Sequence, residues 1–141
     1  MAEINFFTES ITFTLKNKTL LRSWLLKCAK SEKQTISELN YIFCSDNYLK
    51  KINKQFLNHN YFTDVITFPT STPGDKTISG DIFISIDRVR DNAKTYGVRV
   101  NDELHRVMVH GLLHLFGYKD KSNAEEKKIR EKENYYLGRM G

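Results

Sequence analysis

Asn101–Asp120 reads NDELHRVMVHGLLHLFGYKD, and the fold turns on it. From Val107 to Phe116 the stretch is apolar nearly all round, through Val107, Met108, Val109, Leu112, Leu113, Leu115 and Phe116. A helix with no solvated face belongs in a core. Asn101 is its predicted N-cap and Gly117 its stop. His110 and His114 are four residues apart, which on a helix places them one turn apart and about 40° apart in azimuth. A packed histidine pair is the plain alternative, but two imidazoles inside an apolar helix need polar partners. One metal ion supplies both. Gly117 can reverse the chain and carry Asp120 back as a third ligand. Three protein ligands leave a fourth tetrahedral position for water, which marks a catalytic rather than a structural zinc site. The expectation is one zinc ion on His110, His114 and Asp120.

The spacing matches the HExxHxxGxxH pattern of zinc peptidases, and its Asp-ended relatives, with one absence. The residue after the first His should be a Glu acting as general base. Here it is Gly111, which has no side chain to take a proton.

Working outward, the preceding segments alternate. Ile4 to Leu15 is rich in Phe, Ile and Thr, and ITFTL (11–15) has strand periodicity. TLLRSWLLKCAK (19–30) spaces Leu21, Trp24, Leu25 and Cys28 as a helix. Glu38 to Cys44 reads as a strand, Ser45 as an N-cap, and Leu49, Ile52 and Phe56 as one face of a short helix. DVITF (64–68) is a second strand, stopped by Pro69. Thr70 to Ser79, with Pro73, Gly74 and Asp75, reads as a loop. GDIFISI (80–86) is a further strand, after which Asp87 caps a helix ending near Gly97. Ser122 with Glu125 three residues on is a capping box for a last helix to about Leu137. The predicted fold class is α+β: a small mixed four-stranded sheet covered by about five helices.

A length of 141 residues predicts a single domain spanning 1–141. A chain of that size buries about 70% of its unfolded surface, enough to fold without staples. The balance of 40% hydrophobic and 28% charged residues excludes a wholly disordered chain. Cys28 and Cys44 are too few for a disulfide scaffold and read as small buried hydrophobes of a reducing compartment. MAEINFFTES lacks a basic n-region, and no apolar run approaches a membrane span, so the expected place is the cytoplasm, with no membrane partner. The net charge of +5 tolerates an anionic partner such as RNA without demanding one.

HGLLHLFGYKD (110–120) resembles the HGxLHLxGYDH motif of the YbeY family, metal-dependent endoribonucleases of ribosomal RNA maturation. TDVITFP (63–69) is similar to the family's TDVLSFP, and SGDIFI (79–84) to its GDI strand. Glu133 and Leu137 match the E..iL near its C-terminus. The likeness covers most of the chain from Ile52 onward, while the first 40 residues match in general pattern only. The resemblance implies a zincin-like fold, one zinc ion and cleavage of single-stranded RNA. It further implies trimming of the 3′ end of small-subunit ribosomal RNA, ribosome quality control, and the small ribosomal subunit as partner.

Two departures stand out. The family's third ligand is usually His, and here Asp120 lowers the charge of ion plus ligands from about +2 to about +1. Where the family commonly carries an Arg, alignment on Thr63-Asp64-Val65 puts Leu57. His59, or one of Lys50, Lys51 and Lys54, is the candidate replacement for that phosphate clamp. The general base is unassigned; His59, Asp64 and Asp81 are the candidates, the two Asp also as partners for a His N–H. His105 lies about 140° from His110 around the helix and reads as packing. Glu133 reads as a surface residue or a partner for a buried N–H. The alternatives to an endoribonuclease are a ribosome-associated protein with a mainly structural zinc and, weakened by Gly111, a zinc peptidase.

Overall fold

The computed structural model describes residues 2–59, 62–71 and 77–140. Its elements run β1 (Glu3–Glu9), α1 (Lys18–Ser31), β2 (Thr35–Cys44), α2 (Asp46–Leu57), β3 (Val65–Pro69), β4 (Thr77–Ser85), α3 (Ile86–Tyr96), α4 (Val100–Leu115) and α5 (Asn123–Leu137). The α+β expectation of four strands and five helices holds among the described residues. The sheet order is β1-β2-β4-β3, with β1, β2 and β4 parallel and β3 antiparallel to β4. Parallel neighbours need a crossover, and α1 makes it between β1 and β2.

The first strand is Glu3–Glu9, paired from Glu3↔Glu38 to Glu9↔Cys44, and not ITFTL. Ile11, Phe13 and Leu15 pack against the core without joining a ladder, so their alternation records burial rather than strand pairing. β2 starts earlier than Glu38, at Thr35, and a register shift between Ile36 and Glu38 breaks the alternation that would have extended it. β4 starts at Thr77, so Thr77 to Ser79 are strand rather than loop. Pro73, Gly74 and Asp75 lie outside the described residues.

Of four helix N-caps, two stand as expected and two differ. Ser45 caps α2 through its hydroxyl on the Tyr48 N–H, and Ser122 with Glu125 forms the capping box of α5, as expected. α3 is capped by Ser85 rather than Asp87, because the Ser85 hydroxyl reaches the Arg88 N–H. The Asp87 carboxylate instead accepts from the Asp46 N–H and ties α3 to α2. α4 begins at Val100 with Arg99 as N-cap, two residues ahead of the expected Asn101.

The main core lies between the sheet and α1, α4 and α5. Leu39, Tyr41 and Phe43 of β2 and Ile82 and Ile84 of β4 face Leu21, Trp24 and Leu25 of α1 and Leu104, Met108 and Leu112 of α4. Each such side chain contributes about 1.5–3 kcal/mol on burial. The polar atoms inside are paired: the Tyr41 hydroxyl donates to Met108 O at 2.8 Å and the Trp24 indole to Tyr136 O at 2.8 Å. Cys28 and Cys44 are free and buried, as read. On the other sheet face α2 covers a smaller cluster of Cys44, Leu49 and Ile66.

α4 lies directly on β3 and β4. Gly111 makes that approach, since a Cβ there would stand 2.8 Å from Ile82 Cγ2. The missing peptidase base goes with this packing: any side chain at position 111 would have to displace Ile82.

Candidate metal centre

The buried face of α4 fixes its azimuth, and that azimuth turns His110 and His114 toward the gap beyond β3. Their Nε2 atoms are 3.0 Å apart. Gly117, at φ +108, reverses the chain after the helix. Asp120 returns, and its Oδ2 lies 3.5 Å from His110 Nε2 and 3.3 Å from His114 Nε2. The structure therefore brings all three sequence candidates together, with donor atoms within 4.8 Å of one another.

The donor set fits a tetrahedral cation. Bonds of about 2.0–2.1 Å place ligand atoms about 3.3–3.4 Å apart, and the three separations here are 3.0, 3.3 and 3.5 Å. The tautomers fit as well. His114 Nδ1 lies 2.9 Å from the carbonyl of Tyr118, which only accepts, so Nδ1 carries the proton. His110 Nδ1 lies 2.6 Å from a Glu133 carboxylate oxygen and donates likewise. With Nδ1 as the donor on each ring, Nε2 is the atom left to ligate, and both Nε2 atoms face each other and the Asp120 carboxylate, as sharing one cation requires.

Glu133 is the partner for a ring N–H, the second of the two roles its sequence position allowed. It is buried on α5, and Arg106 holds its other oxygen at 2.9 Å. Burial pushes its carboxyl up, but the hydrogen bonds from His110 and Arg106 outweigh that and bring it below the usual carboxylate range. Burial pulls the His110 imidazole down, but the Glu133 hydrogen bond and charge, with Asp120 and Asp64, outweigh it and leave the ring above its ordinary value. The Tyr118 carbonyl is a partner that sequence reading missed; a backbone acceptor leaves no residue-type signal.

The centre opens on a cleft of about 350 Å³ between the end of α2, β3 and the histidines. His59 and Asp64 line it with His110, His114 and Asp120. Burial pushes the Asp64 carboxyl up, opposed by nearby His110. Asp81 is not brought there: it sits on the other sheet face, accepting from the Asn40 amide at 3.0 Å. The Nδ1–H groups of His110 and His114 go to Glu133 and the Tyr118 carbonyl rather than to either Asp. Leu57, the last residue of α2, is on the cleft wall. Lys50, Lys51 and Lys54 do not line this cleft, and the Lys50 ammonium stands 4.5 Å from the centre of the Phe62 ring. His105 packs against Trp24, as its angle around the helix implied. No helix among the described residues is long and apolar enough to cross a membrane.

Comparison with known proteins gives the family. The family described as Endoribonuclease YbeY matches residues 3–141, including the first 40 residues, where the motifs alone showed only general likeness. Endoribonuclease YbeY of Cytophaga hutchinsonii is 55% identical over 134 residues, covering 95% of this chain and 93% of that protein. The Flavobacterium psychrophilum protein of the same name is 50% identical, covering 93% of this chain and 92% of its own. That of Porphyromonas gingivalis is 42% identical, covering 97% and 89%. The solution structure of TM1509 from Thermotoga maritima superposes with a TM-score of 0.68 at 28% identity, over 97% of this chain and 88% of that one. Motif, fold and whole-length similarity converge, and the chain belongs to the endoribonuclease YbeY family.

Proposed function

We propose that residues 1–141 form one metal-dependent hydrolase domain, an endoribonuclease that binds one zinc ion on His110, His114 and Asp120 and cuts single-stranded RNA. Its place is the cytoplasm, in trimming the 3′ end of small-subunit ribosomal RNA and in ribosome quality control, with the small subunit as partner. The observation that carries the reading is the triangle of donor atoms at 3.0, 3.3 and 3.5 Å on the wall of an open cleft. A divalent cation bound there supplies Lewis acidity to a phosphodiester oxygen. The chain's own residues do the rest. Glu133 and the Tyr118 carbonyl hold both imidazoles in one tautomer. His59 and Asp64 stand on the cleft wall and are the candidates to exchange a proton with substrate, whereas Asp81 on the far sheet face has no route to it. A single strand can bend its backbone into such a recess, and A-form duplex cannot.

The position of the site on a cleft wall favours catalysis over a purely structural ion: among the described residues no fourth His, Cys, Asp or Glu joins the group of His110, His114 and Asp120. Against peptidase chemistry stands Gly111, packed too tightly for any base. Leu57 offers no guanidinium to the scissile phosphate, so turnover should be slow unless the ribosome positions the strand. The net charge of +5 gives modest backbone attraction, so activity should fall with salt on a shallow slope. The test compares wild type and His114→Ala on a small-subunit RNA 3′-end substrate, stripped by chelator and restored with zinc. Cleavage is expected only from zinc-restored wild type. Equal cleavage in every arm would expose a contaminating nuclease and leave the structural-zinc reading standing.

A further inference from the structure

The part of the centre not built on α4 is the turn 116–120, and one residue in it is held at three points. Tyr118 donates its N–H to Leu113 O at 3.0 Å, accepts from His114 Nδ1 through its carbonyl at 2.9 Å, and donates its hydroxyl to Glu32 Oε1 at 2.5 Å. The first two contacts are local. The third crosses 86 residues to the C-cap of α1. Glu32 is itself fixed: Tyr136 donates a hydrogen bond to its other oxygen, and Lys132 lies 3.3 Å from the same atom. Its side chain is 10% exposed. Solvent space lies beside Gly117–Lys119, so the turn has room to shift when the phenol is released.

We infer that Glu32, acting through Tyr118, is a positioning residue for the metal centre. The clamp on the phenol sets where the Tyr118 carbonyl stands, and that carbonyl sets the tautomer and direction of His114. The same clamp sets where the chain leaves for Asp120, two residues on. Glu32 thus controls two of the three ligands without touching either. A carboxylate suits the task because it accepts from both phenols at once and pairs with Lys132. Losing the clamp should act as loss of an outer-shell partner does, about 10-fold or more in metal affinity.

The inference rests on the zinc reading above, and the test separates the two. The zinc dissociation constant is measured by chelator competition, with the melting temperature of metal-free protein alongside. Tyr118→Phe and Glu32→Ala should each weaken zinc binding about 10-fold. Their combination should weaken it no further, because both remove one connection. Glu32→Gln, whose amide still accepts from Tyr118, should recover most of the affinity. Tyr136→Phe removes one of the two contacts of Glu32 to α5, leaving Lys132, and spares that to the turn; it should lower the melting temperature and leave zinc affinity within about twofold. If Glu32→Ala fails to fold, Tyr118→Phe decides. Wild-type zinc affinity in Tyr118→Phe, or an equal loss in Tyr136→Phe, would reduce the cluster to plain stabilisation and overturn the inference. A wild-type protein that binds no zinc would overturn the metal reading itself.

Discussion

The two halves of the centre are built differently. His110 and His114 sit on the most buried helix of the protein, with side chains 22% and 24% exposed and each Nδ1 already bonded. Asp120 sits on an irregular turn and is 42% exposed. The helix half is set by packing on β3 and β4, down to the Gly111 contact with Ile82. The turn half is set by a few hydrogen bonds around Gly117 and Tyr118. Packing in a core is hard to shift by even a methylene, while a turn relaxes at small cost. The helix half should therefore dictate whether a metal binds, and the turn half should tune which metal and how the site works.

The largest effect is expected from removing a helix ligand. His114→Ala should weaken zinc by more than the roughly 100-fold that outer-shell changes reach, and cut RNA cleavage to background. The metal-free melting temperature should move little, because the ring faces the cleft rather than the core. Full stoichiometric zinc at wild-type affinity would break the distinction between the halves. Next comes Glu133→Gln. It removes the charge that orients His110 and pairs with Arg106, so a loss of about 10- to 100-fold in zinc affinity is expected by titration. An unchanged affinity would mean that His110 is oriented by α4 packing alone.

Asp120→His probes the turn half. The substitution restores the family's usual third ligand and one unit of positive charge. At about 4 Å in a watery cleft that charge is worth about 1 kcal/mol, or roughly fivefold in rate. Zinc should be retained and single-stranded RNA cleavage should rise. Imidazole reaches further than a carboxylate, so the turn must yield to admit it. A variant that folds and binds zinc but cleaves no faster would show that ion charge does not limit this site.

The same division explains what the sequence disclosed. His110, His114 and the buried face of α4 follow from a 3.6-residue period, which is strict in a buried helix. Asp120 followed from one glycine and an offset. Glu133 was visible only as two possible roles, since choosing between them needs the packing of α5 on α4. Tyr118 as a backbone acceptor and Glu32 as its anchor were invisible, because both rest on contacts between segments far apart in the chain. The misread strand at ITFTL has a related cause: Ile11, Phe13 and Leu15 are buried by the core, and period two reports burial without reporting a partner strand. Asp81 was placed on a strand correctly, but which face it occupies depended on the sheet order.

The smallest expected effect concerns the link between the halves. Burial pushes the Glu32 carboxyl up, but hydrogen bonds from Tyr118, Tyr136 and Lys132 outweigh it and hold it below its ordinary value of 4.5. A carboxylate whose folded pKa is depressed contributes stability above its unfolded value and loses it as pH falls through the folded one. Metal-free wild type should therefore lose melting temperature as pH drops from about 4.5 downward, with Glu32 as one contributor among the paired carboxylates. Glu32→Gln starts from lower stability at neutral pH and has no proton to gain at this position, so its acid slope should be shallower and the two curves should converge. Parallel curves would mean that Glu32 is held by packing rather than by charge, and the turn would then be anchored through the Tyr118 ring rather than its hydroxyl.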